Sequence, residues 1–242
     1  MALVVWVFAG GGESEIRGLI PLLAGQYLAH RFVRKSPVRP KPGPRPESGR
    51  AQNRSRRARS GHGRTGKSLA SQLSMFLSKS LKERENCDLI LVLDDLDCHN
   101  PEDRREVFEC AIHSVEDAAH LQSYICFASP EIEAWIVADW GNSIAKDGDF
   151  RQCHQRMRHW LSTEKSVPFD RPEEFSSLDP ERGSCRDKLS DVLVESSIQC
   201  SARARYSKGT HTPRFLRQIS PEVVSRKCPH FRALHNRLSQ KE

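Results

Sequence analysis

Long apolar runs are missing from this chain of 242 residues. The longest, Ala2 to Ala9, stops at three glycines and falls well short of the roughly 20 apolar residues that cross a bilayer as a helix. No basic segment precedes it, so it does not read as a secretory signal, and the expectation is a cytoplasmic protein with no membrane partner. Paired cysteines are missing too. The eight cysteines are scattered between Cys87 and Cys228 without a CxxC pair, and Cys98-His99, Cys153-His154 and Cys228-Pro229-His230 lack zinc-site spacing. Reduced thiols are therefore expected, with Cys126 acting as a small buried hydrophobe in its apolar run. Internal repeats are absent, and no Ser/His/Asp or Cys/His arrangement stands out.

Two glycine-rich signatures are present only in part. Gly10-Gly11-Gly12 fails as a dinucleotide fingerprint because Glu15 stands where the third glycine belongs. It remains a candidate tight turn. Gly61-x4-Gly66-Lys67-Ser68 matches the phosphate-loop spacing, but that mechanism needs a buried strand to deliver the loop, and RAQNRSRRARS before it cannot be one. The match reads as chance, and no ATPase is inferred.

What the chain has is concentrated charge. The net charge is +7, yet between Arg31 and Lys67 thirteen Lys/Arg face one acid, Glu47, which leaves the remainder mildly acidic. A basic strap on an acidic body suggests a polyanionic partner, through counterion release from phosphates. Arg54, Arg56, Arg57, Arg59, Arg64 and Lys67 are the candidate nucleic-acid contacts. A solvated charge run is the plainer reading.

Periodicity predicts an α/β fold, a parallel sheet flanked by helices. Ala2–Ala9 reads as a buried strand, followed by a turn and a helix to Phe32 with Ile16, Leu19, Leu23 and Tyr27 on one face, kinked or divided at Pro21. Residues 36–60 read as a basic Pro/Arg-rich loop or disordered insert. A helix follows with Leu69, Leu73, Phe76, Leu77 and Leu81 in a stripe, then CDLILVLDDLD as the clearest strand. Asn100-Pro101 caps a helix to about His120, SYICFAS is a further strand, and EIEAWIVADW a further helix. The expected division is an α/β domain over residues 1–147 and a mostly helical C-terminal extension over 148–242, without obvious strands.

Asp95 and Asp97 follow the strand LILVL, where open α/β sheets place their ligands, and carboxylates two apart can both face a hard cation. A solvated acidic turn explains them equally well. Glu131 and Glu133 could approach the same sheet edge, or could simply complement a helix dipole. Lys208, in a polar cluster with Arg203, Arg205, Tyr206 and His211, could stabilise charge on a phosphate.

The order VVWVFAGGGESE, GKSLASQL, LILVLDDLD, EIEAWIVAD, YSK and CPHFRALHNRL resembles the Toprim-like domain of unknown function 4276 family, related to the nuclease domains of OLD-type and RloB-type phage-defence proteins. The resemblance implies a Toprim-like sheet that binds Mg2+ (or Mn2+) for phosphodiester cleavage of nucleic acid, DNA ahead of RNA. It assigns Asp95 and Asp97 to the DxD places, Glu131 and Glu133 to further metal contacts, and Lys208 to the basic residue of OLD-type sites. Lys67 falls at the start of the family's helix. Where the family often has a glutamate ending the first strand, this chain has Ala9. Glu13 is the candidate substitute as base. The alternative implied by Ala9 is a non-catalytic module that binds nucleic acid or serves an ATPase subunit.

Overall fold

Val4–Ala9 forms strand β1, with every side chain from Val5 onward buried. Glu13–Gln26 forms helix α1, a single helix continuous across Pro21, so the expected division there does not occur. The computed structural model describes residues 2–10, 13–35 and 66–240. Arg31–Arg34 is strand β2, paired in parallel with β1. With α1 ending at Gln26, this corrects the reading of a helix that continues to Phe32. Four residues with an arginine at each end carry no apolar run, and an edge strand needs none.

Helix α2 (Lys67–Lys82) leads into β3 (Leu89–Asp95), and α3 (Pro101–His113) into β4 (Gln122–Ala128). Asn100 caps α3 as expected, its Oδ1 accepting from the N–H of Glu102 at 2.8 Å. The helix ends at His113 rather than near His120, and a short 3-10 turn, Glu116–Ala118, fills the difference. These four strands are parallel, in the order β2-β1-β3-β4. A parallel sheet covered on both faces explains why β1 and β3 read as unbroken apolar runs. One face (Val5, Val7, Leu89, Leu91, Leu93) packs against α1. The other (Trp6, Phe8, Ile90, Val92, Phe127) packs against α2 and α3.

The C-terminal half is mainly helical: α4 (Glu133–Ala138), α5 (His154–Glu164), α6 (Leu189–Gln199), α7 (Lys208–Leu216), α8 (Pro221–Lys227) and α9 (Pro229–Ser239). Between α5 and α6 lies an antiparallel pair that the sequence reading missed, β5 (Leu178–Asp179) and β6 (Ser184–Cys185), two residues each and too short to show a pattern. These helices share the buried cluster of α1 and its sheet face, with the ring of Trp135 edge-on to Phe231 at 4.8 Å.

The expectation of reduced thiols is corrected at one pair. Cys98 and Cys185 are joined by a disulfide across 87 residues of sequence. Local spacing cannot reveal a contact made by tertiary folding at that separation. Cys87, Cys110, Cys126, Cys153, Cys200 and Cys228 are free, and Cys126 is buried as expected. Among the described residues, no helix is long and apolar enough to cross a membrane.

Candidate acidic site at the carboxyl ends of β3 and β4

From β1 the chain steps to β2 on one side and later to β3 on the other, so the carboxyl ends of β1 and β3 flank the point where the strand order switches. Open sheets of this kind bind ligands there. Asp95 is the last residue of β3, paired with Ala128 of β4. Side chains alternate across a strand, so Asp95 shares a face with Leu93, while Asp94 points to the opposite face.

The exits of β3 and β4 are laced together. Leu96 N–H donates to Ala128 O, Asp97 N–H donates to Pro130 O, and the Ile132 N–H donates to Asp95 Oδ1, each at 2.9 Å. These bonds bring Glu131 and Glu133 beside Asp95. The helix-dipole explanation would set the two glutamates at the surface of a helix start; they are instead 4 % and 0 % exposed. Buried carboxylates need partners. Glu131 Oε1 accepts from the backbone N–H of Ser190 at 2.7 Å and from its hydroxyl at 3.0 Å. Glu133 Oε1 accepts from the Thr212 hydroxyl at 2.7 Å.

The remaining oxygens converge on one cation. Lys208 Nζ lies 3.1 Å from Glu131 Oε2, 3.1 Å from Glu133 Oε2 and 3.5 Å from Asp95 Oδ2. Lys208 opens α7, and the helix start is held from below. The Ser207 N–H donates to His211 Nδ1 at 2.8 Å, and Arg214 pairs with Asp147 at 2.7 Å and Asp149 at 3.0 Å. Arg214 holds the Asp149 carboxyl below its usual pKa, and burial lowers that of His211. Burial, reinforced by Glu133, pushes the Tyr206 phenol well above its usual value, so it stays a neutral donor or acceptor to Thr212 at 2.7 Å.

Of the residues singled out from sequence, the fold gathers Asp95, Glu131, Glu133 and Lys208. Asp97, two residues beyond Asp95, has a left-handed φ of 49°, and its Oδ1 lies 3.9 Å from Lys188 Nζ. Glu13 is the first residue of α1, the helix that follows β1, and Lys67 the first of α2. Arg54, Arg56, Arg57, Arg59 and Arg64 lie outside the described residues. Ala9 pairs with Leu93 and stands on the Asp95 face, one alternation short of Asp95 in register. Ser190 and Thr212 were missed. Thr212 had a usable signal, since it lies four residues after Lys208 and so shares its helix face; Ser190 had none.

On the opposite face, Asp94 is fully buried, and its Oδ2 accepts from the Gly66 N–H at 2.8 Å. Burial raises its pKa to about 7, against the opposing pull of that N–H and of Arg104. Gly66 has φ 53° and ψ −129°, a backbone conformation that favours glycine at this helix start.

Three carboxyl groups give the hard oxygen donors that Mg2+ or Mn2+ prefers. As spaced here they enclose an ammonium, and among the described residues no group of three or more His, Cys, Asp or Glu is placed to hold a metal ion. The point on which the three carboxylates converge is taken by the Lys208 ammonium.

The family described as Domain of unknown function (DUF4276) matches residues 10–239, nearly the whole chain. This chain belongs to that family. No match was found among curated proteins or among solved structures. The DUF4276 match takes in all the residues of the acidic site, from β3 through α7.

Proposed function

We propose that this DUF4276 chain is a cytoplasmic phosphodiesterase that cleaves nucleic acid with Mg2+ or Mn2+, DNA ahead of RNA, in a phage-defence setting. The observation that carries this reading is the convergence of Asp95, Glu131 and Glu133 on one cationic point beyond the carboxyl ends of β3 and β4. With Lys208 drawn out of their centre, those three side chains would hold the metal, whose chemistry is to polarise a phosphoryl oxygen and acidify a bound water. Asp97 stands at the rim as a further oxygen donor, and Glu13 is the candidate base. Lys208, about a third exposed, offers a positive charge to a phosphate oxygen at the same mouth. Ser190 and Thr212 fix the rotamers of the two glutamates, and the helical half, residues 148–242, acts as an extension that delivers Lys208.

Ala9 supports a second reading, a non-catalytic module that binds nucleic acid or serves an ATPase subunit. A glutamate at that register position would add a carboxylate to the Asp95 face, and this chain lacks it. The two readings part on one assay: supercoiled plasmid, single-stranded DNA and RNA with Mg2+ or Mn2+, wild type against Asp95→Ala/Asp97→Ala. Cutting by wild type and not by the double variant is expected. Folded protein that binds DNA in a salt-sensitive way yet never cuts would replace the first reading by the second. Melting with and without Mn2+ tests the ion by itself. Lys208→Met removes the resident ammonium, so Mn2+ should raise the melting temperature of that variant more than that of wild type.

A further inference from the structure

The segment that follows β5 reaches the acidic site at three successive points. Cys185, in β6, is bonded to Cys98, the residue after Asp97. Lys188 Nζ stands 3.9 Å from Asp97 Oδ1, and Ser190 donates twice to Glu131. One stretch of six residues thus touches both acidic turns, and the disulfide ties it covalently to the first of them.

The turn on the other side of that tie is strained. Asp97 and Cys98 have φ values of 49° and 61°, two consecutive non-glycine residues in the left-handed region. Such residues persist where their surroundings hold them and tend to collect at functional sites. Asp97 N–H donates to Pro130 O and His99 N–H to Leu96 O; Cys98 is held by its side chain. Cys98 is partly exposed and Cys185 is 4 % exposed, so a reductant meets Cys98 first.

We propose that Cys98 and Cys185 are a redox clasp, responsive to a dithiol reductant, that sets the order of the turn Leu96–His99 and so the position of Asp97 beside the acidic site. In the reductive direction a thiolate of the dithiol attacks Cys98 Sγ, the Cys98–Cys185 bond breaks, and Cys185 leaves as a thiolate that takes up a proton. The second thiol of the reductant then attacks the mixed disulfide. It releases Cys98 as a thiol and closes the reductant's own disulfide, so two electrons and two protons have passed to the protein. A disulfide in a compartment that keeps thiols reduced is in most cases of this responsive kind. The clasp holds whether or not the site cleaves phosphodiesters.

The test uses the full chain and a readout independent of cleavage. After incubation with oxidised glutathione, a non-reduced peptide map should contain the species joining Cys98 to Cys185, and a dithiol reductant should remove it. Amide hydrogen exchange is then compared between the two forms. Reduction should speed exchange by about tenfold or more at residues 96–99 and 184–190, and leave β1 and β4 unchanged. Cys98→Ser/Cys185→Ser should match the reduced form with either treatment. Separate, unlinked Cys98 and Cys185 peptides after oxidation would overturn the clasp, as would a linked pair whose reduction changes exchange nowhere in the two segments. If the double variant does not fold, the oxidised and reduced wild type decide alone. Failure to cut nucleic acid in either form bears on the proposed function and leaves this result standing.

Discussion

Glu133 is fully buried and Glu131 nearly so, and an unpaired carboxylate at either depth would cost several kcal/mol. Apolar side chains of similar volume would fill that space at no such cost, so an acid cluster kept here, around a lysine that solvent can reach, has the character of a site. Asp94, one residue before Asp95 but on the other face, instead anchors Gly66 and the start of α2. Its pKa rises from 3.8 to about 7 on folding. The folded form therefore holds a proton that the unfolded chain has already lost, and the stability this group contributes is complete below pH 3.8 and falls as pH rises toward about 7. Glu173, buried and raised from 4.5 to about 7, slopes the same way. Asp94→Asn keeps an oxygen for the Gly66 N–H and removes the titration. Urea unfolding from pH 4 to pH 8 should lose up to about 1 kcal/mol per pH unit of downward slope in that window, with the Glu173 part remaining. An unchanged profile would mean that Asp94 is ionised throughout.

Between elements, the decisive contact is α1 on α7. An added Cβ at Gly18 would lie 2.7 Å from Pro213 Cα and 2.9 Å from a methyl of Leu216. The obstacle is partly backbone, so α7 would have to move, and Lys208 begins α7. Gly18→Ala should destabilise the fold by about 1–3 kcal/mol, read as a fall in melting temperature, although alanine is the better helix former. A neutral or raised melting temperature would show that α7 yields freely. The same contact marks what a sequence can show. Leu89–Leu93 and the Asn100 cap were legible because periodicity and capping are local. β2 was lost because Arg31 and Arg34 hide an edge strand, and β5 and β6 because two residues have no period. Asp95, Glu131, Glu133 and Lys208 were legible one by one as polar residues beside element ends. Their meeting depends on α7 folding back across about 75 residues of chain to the end of β4, and Asp97 takes a left-handed backbone conformation that its side chain does not announce.

Charge divides the whole molecule unevenly. Residues 148–242 carry eighteen Lys/Arg against twelve Asp/Glu, and the strap from Arg31 to Lys67 thirteen against one, so the acidity lies in the sheet half that holds Asp95, Glu131 and Glu133. A polyanion would be repelled by that acidic part and attracted by the basic parts of the chain. If the strap provides the attraction, each arginine lost removes about one released counterion. Replacing Arg54, Arg56, Arg57, Arg59 and Arg64 by serine should weaken duplex DNA binding and lower the slope of log K against log salt by up to about 4 to 5. Fluorescence anisotropy across a salt series measures both. An unchanged slope would assign the phosphate contacts to other residues, of which Arg203 and Arg205, exposed just before Lys208, are the first to replace. A slope that falls by the full amount while Asp95→Ala/Asp97→Ala leaves it untouched would separate holding the nucleic acid from whatever chemistry the acids perform.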